Sequence, residues 1–135
     1  MRDQSGSERR KHERFVVPPM YTPLLVRLQS EDAFGREGFA YDVSLGGLQF
    51  ELDEAIAPGT GIAVCLELPG GLSVQERAGP ERSPIYALAN VVWIEDEDEP
   101  GPVRMAAVFT RFARAGDEAR LRARLGSGVF VRKAA

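Results

Sequence analysis

The chain has one cysteine, Cys65, and one histidine, His12. A lone thiol closes no intramolecular disulfide and excludes a multi-cysteine zinc site. A Cys–His nucleophilic pair would have to use both residues, but Cys65 lies within the strand-like run 61–68, where a small structural side chain is the simpler reading. No window approaches the roughly eighteen apolar residues that a membrane helix needs. No apolar stretch follows the charges of residues 1–7, so a secretory leader is not expected and a soluble, cytoplasmic protein is. Lysine is scarce as well: two of the 17 basic residues are Lys and 15 are Arg. Against 20 acidic residues they leave a net charge of −3, so bulk charge points neither to nucleic acid nor to an acidic membrane. Any anion site has to be a local cluster.

What is present is ordinary for a globular domain. The 135 residues are 44% hydrophobic and 27% charged, and a chain of this length buries roughly 68% of its unfolded surface. Residues 1–14 are polar, with five basic and three acidic side chains, and apolar periodicity begins only at Phe15. This predicts a flexible basic arm at 1–14. Val16-Val17-Pro18-Pro19 cannot be helix interior, because each proline fixes its own φ and pushes its predecessor toward extended geometry.

From there the period is mostly two. Leu24, Val26 and Leu28 share a face, as do Phe39, Tyr41 and Val43, and as do Leu48, Phe50 and Leu52 after a turn at Leu45-Gly46-Gly47. The last two runs predict a hairpin. Further strands are expected at 61–68, 84–94 and 103–111, so about six short strands indicate a small barrel or sandwich. The Gly-, Glu- and Arg-rich stretch 69–83 reads as a long loop, and the carboxylate run Glu95–Glu99 as a solvated turn that lacks the spaced ligands of a calcium loop. Asp117 and Glu118 open, and Arg122 and Arg124 close, a short amphipathic helix that ends at Gly126, with its charges aligned to its dipole. The expected division is an arm at 1–14, a barrel at 15–115, and a helix and tail at 116–135, where Val129-Phe130-Val131 is apolar.

Two stretches can carry chemistry. In Glu8-Arg9-Arg10-Lys11-His12-Glu13-Arg14, a spacing of four puts Arg10 and Arg14 on one side of a helix or of a strand. Two guanidinium forks facing one way suit a ligand with phosphates and planar bases. In Asp42-Val43-Ser44-Leu45-Gly46-Gly47, period two points Asp42 and Ser44 the same way, opposite Tyr41 and Val43. Gly46 and Gly47 are expected to supply positive φ at the bend. Asp42 and Ser44 either bond the turn backbone or face a ligand.

In that order and at that place before and after the first strands, Arg10, Arg14, Asp42, Ser44 and Gly47 match an R-x-x-x-R arm followed by a D/N-x-S-x-x-G turn. The chain thereby resembles the PilZ domain family from about residue 8 to 115, with residues 90–93 and 104–109 similar to its later strands. Ala107 stands where members often carry Gly.

The resemblance implies an all-β, six-stranded antiparallel barrel that binds the bacterial second messenger cyclic di-GMP. Arg10 and Arg14 would grip phosphates and guanine edges or stack on a base, Asp42 and Ser44 would bond a guanine, and Gly47, with Gly46 beside it in the ligand site, would allow the backbone to come close. Arg9, just before the motif, goes in this family with a stacked pair of ligand molecules. The arm would wrap over the ligand and relay its presence to a partner protein, the chain itself being a monomer or weak homodimer. No cofactor, metal or DNA/RNA partner is expected. An alternative is a PilZ-like protein-interaction module that binds no nucleotide. A single-strand-binding barrel is disfavoured by the acidic net charge, since only Phe15 adjoins the arginines. No nucleophile–base pair, metal-ligand set or phosphate-cradling loop indicates an enzyme.

Overall fold

The structure is a computed structural model that describes residues 12–69, 84–95, 101–128 and 130–133. Arg9, Arg10 and the arm as far as residue 11 lie outside the described residues, as do 70–83 of the expected loop, 96–99 of the carboxylate run, and Val129.

Among the described residues, eight strands form one antiparallel sheet: β1 (Phe15–Val16), β2 (Pro23–Leu28), β3 (Arg36–Val43), β4 (Gly47–Leu52), β5 (Gly61–Leu66), β6 (Ile85–Ile94), β7 (Val103–Phe112) and β8 (Val131–Arg132). The spatial order is β2-β5-β6-β7-β4-β3, and β2 also pairs with β3, so these six close into a barrel; β1 extends from β3 and β8 from β1. Closure removes the free edges that an open sheet of this size would expose. Pro18 and Pro19 lead from β1 into a single 3-10 turn, Pro19–Tyr21, before β2.

The alternation of β2 and β4 is as predicted: Leu24 and Val26, and Leu48, Phe50 and Leu52, all point inward. In β3 the phase differs. Ala40 and Val43 are fully buried whereas Phe39 is 44% exposed, so Phe39, Tyr41 and Val43 do not share the core face. The cause is a bulge: Ala40 pairs with Phe50 and Asp42 with Gln49, leaving Tyr41 without a partner on β4. One extra residue lets both Ala40 and Val43 face inward although an odd number of positions separates them. Tyr41 instead lies outside, its hydroxyl bonding Glu51 at 2.9 Å and its ring under the Arg104 guanidinium.

The helix α1 (Asp117–Leu125) packs on β6 and puts Leu121 and Leu125 into the same core as Phe50, Ile62, Leu66 and Met105. Gly116 precedes it at φ 89°, a left-handed conformation open to glycine. Arg124, in the last turn, donates to the carbonyls of Leu68 and Pro69 and so ties the helix to the segment after β5. Cys65 on β5 is buried, and burial pushes its thiol up in pKa, which keeps it protonated and poorly nucleophilic.

Candidate functional site

Between β3 and β4 the chain reverses over Ser44-Leu45-Gly46. The Ser44 amide donates to the Gly47 carbonyl at 2.8 Å. The Ser44 hydroxyl accepts from the amides of Gly46 and Gly47 at 3.0 and 3.2 Å. The Ser44 hydroxyl thus bonds the turn backbone. The Phe109 amide then donates to the Gly46 carbonyl at 2.9 Å, stitching the turn to β7.

Gly47 is needed for space rather than for dihedral freedom. Neither Gly46 nor Gly47 has positive φ, contrary to the expectation from the sequence. A Cβ on Gly47 would fall on the Ala107 carbonyl oxygen, and one on Gly46 would lie 2.7 Å from the His12 ring. Strand pairing explains the first contact, because Gly47 sits opposite Val108 and its backbone passes directly over β7.

Asp42 is also placed differently from a ligand-facing carboxylate standing free at a bend. Its side chain is 6% exposed and accepts a hydrogen bond from Lys133 Nζ at 2.9 Å. Lys133 arrives through the tail. β8 pairs with β1, Phe15 opposite Arg132 and Val16 opposite Val131, and the Lys133 amide donates to the Arg14 carbonyl at 2.8 Å. β1 in turn pairs with β3, Val16 opposite Asp42.

These elements converge on an open cavity of about 410 Å³ lined by Arg14, Asp42, Ser44, Gly46 and Gly47, five of the seven residues singled out in the sequence. The other two, Arg9 and Arg10, lie outside the described residues. The remaining lining comes from residues the sequence did not mark as site residues: His12, Leu45 and Leu48, Gln49 and, from the two long strands, Val92, Ala106, Ala107, Val108 and Phe109. Alternation with the buried Ile85, Ala87, Ala89 and Val91 turns Val92 outward, and a register shift between Val91 and Trp93 leaves Trp93 exposed beside it. Val92 and Val108 are 53% and 48% exposed, an apolar wall beside a polar floor. Among the described residues the Arg14 guanidinium has no ion pair. A cationic fork and an apolar wall around one opening suit an anionic ligand with flat apolar faces. Among the described residues no three metal-ligating side chains cluster, and no helix is long and apolar enough to cross a membrane.

Comparison with known proteins gives the family and the fold. The family model for the PilZ domain matches residues 8–127. Two solved structures share the fold. The Bacillus subtilis inhibitor of motility (MotI/DgrA) is 17% identical with a TM-score of 0.57, matching 95% of this chain and 55% of that one, so the present chain spans about half its length. The PilZ domain of YcgR from Escherichia coli, solved with c-di-GMP, is 18% identical with a TM-score of 0.56, matching 84% and 86% of the two chains. No curated protein matches the chain.

Proposed function

The chain belongs to the PilZ domain family, a family of cyclic di-GMP receptors that are typically not enzymes, and from that premise we propose that it binds cyclic di-GMP in the 410 Å³ cavity and relays the signal to a partner protein. The observation that carries the reading is the meeting of Arg14, from the arm, with Asp42, Ser44, Gly46 and Gly47, from the turn, around one opening. Arg14 supplies a fork for a phosphate or for the O6 and N7 edge of guanine. The N–H groups on the opposite edge of guanine need an acceptor, and Asp42 is the carboxylate in the cavity lining. Ser44 holds the turn so that these groups keep their positions, and the outward faces of Val92 and Val108 receive a purine face.

Arg10 completes the pair of forks, and Arg9 beside it supports binding of two stacked nucleotides. Ordering of the arm over the ligand costs conformational entropy, which charge-assisted bonds must outweigh. Binding therefore weakens with salt, and the change in the arm is what a partner reads.

Titration calorimetry with cyclic di-GMP, beside GTP and cyclic di-AMP at two salt concentrations, tests the reading. Selective, salt-weakened binding of cyclic di-GMP is expected. Absence of binding at either salt concentration overturns it and makes the barrel a nucleotide-independent interaction module.

A further inference from the structure

Asp42 is needed for the nucleotide and is already occupied. Lys133 holds Oδ2 and only 6% of the side chain is accessible, so a guanine edge that takes this carboxylate oxygen has to compete with the ammonium. Lys133 is not an isolated surface contact. It terminates a strap in which β8 lies along β1 and the Lys133 amide holds the Arg14 carbonyl. Arg132 adds an ion pair with Glu13 at 3.2 Å. The strap thus grips the base of the arm through Glu13 and Arg14, and the floor of the site through Asp42.

We propose that residues 131–133 are an intramolecular latch that competes with cyclic di-GMP for Asp42; this rests on the receptor reading above. Phe130, 7% exposed, anchors the tail in the core, so only the segment beyond it moves. That segment is built to release. It is a two-residue edge strand, Val131 is 71% exposed, and the Arg132–Glu13 pair is exposed on both sides and adds little. Short, solvated edge pairing belongs to the least stable part of a fold. A closed latch reduces the fraction of molecules competent to bind, and apparent affinity falls in proportion. Release of the strap also frees the Arg14 backbone, so the device links opening of the floor to movement of the arm.

The test is Lys133→Met, which keeps the length of the side chain but removes the ammonium, titrated with cyclic di-GMP beside the unaltered protein. The variant is expected to bind about two- to fivefold more tightly, the range appropriate to losing a partly exposed ion pair in the closed state. In the unaltered protein, amide exchange at Lys133 is expected to speed up when the nucleotide saturates. Equal or weaker binding by the variant, or unchanged protection at Lys133 in the saturated protein, overturns the latch while leaving the receptor standing. Failure of both proteins to bind overturns the receptor reading, and the latch with it.

Discussion

Two buried aspartates, Asp42 and Asp117, are partnered in opposite ways. Asp117, fully buried at the start of α1, accepts from the Arg114 amide at 2.9 Å, from Arg114 Nε and Nη2 at 3.2 and 3.0 Å, and from Arg120 Nη2. Every one of these donors lies three residues away in sequence, so the set forms as the helix forms. Asp42 is 4% exposed and, among the described residues, has one ion-pair partner, Lys133, 91 residues along the chain. A carboxylate saturated by local donors is a structural joint. One held by a single distant donor can exchange it for something else. The contrast extends to the arginines, since Arg114 and Arg120 are spent on Asp117, whereas Arg14 has no ion pair among the described residues.

If the contrast is right, the two regions respond to mutation in different measurements. Asp117→Ala leaves Arg114 and Arg120 without their shared acceptor and should cost about 2–3 kcal/mol of stability, at or below the low end for breaking a buried pair because both arginines keep some contact with water. Chemical denaturation reads this loss, while nucleotide affinity of the folded variant should be unchanged. The reverse pattern, full stability and lost affinity, would transfer the binding role to the helix. Arg14→Ala should do the opposite. Loss of one bidentate contact weakens binding by about 1–3 kcal/mol, or about 5- to 150-fold in Kd, with an unchanged melting temperature. Unaltered calorimetry would remove Arg14 from the site. Arg9→Ala should affect the count more than the strength, reducing two bound nucleotides per chain toward one; a stoichiometry of one in the unaltered protein would exclude the stacked pair.

The strands and hairpin were legible in the sequence because their information is local. Period two marks a buried face, and Gly46-Gly47 marks a bend. What escaped is what depends on how distant segments meet. The bulge at Tyr41 inverted the inward face of β3, and no residue type in 39–43 announces it. Gly47 was expected for its dihedral freedom but is required by the backbone of β7 passing beside it, a contact fixed only by the β4–β7 pairing. Gly47→Ala accordingly should cost about 1–3 kcal/mol by overpacking, and a variant as stable as the original would show that β7 can yield. Val92, Val108 and Lys133 carried no signal as site residues, since each reaches the cavity or Asp42 only through strand order.

Acid sensitivity sharpens the comparison further, with a smaller effect. Burial alone would raise the pKa of the Asp117 carboxyl, but the hydrogen bonds from Arg114 and Arg120 and from the Arg114 amide outweigh it, and the net direction is down. A carboxyl held below its unfolded value of about 3.9 stabilises the fold at pH values above that value and loses the contribution as pH falls through the folded one. The difference in stability between the unaltered protein and Asp117→Asn should therefore be constant from about pH 7 down to about pH 5 and narrow below about pH 4. Glu31 is also held low, by the hydrogen bond from Arg36 and then by the Leu28 amide. It is common to both proteins and cancels in the subtraction. Denaturation midpoints measured across this range decide the matter: a gap that stays the same width down to about pH 2 would mean that the Asp117 charge contributes nothing, and that the joint is held by shape and neutral hydrogen bonds alone.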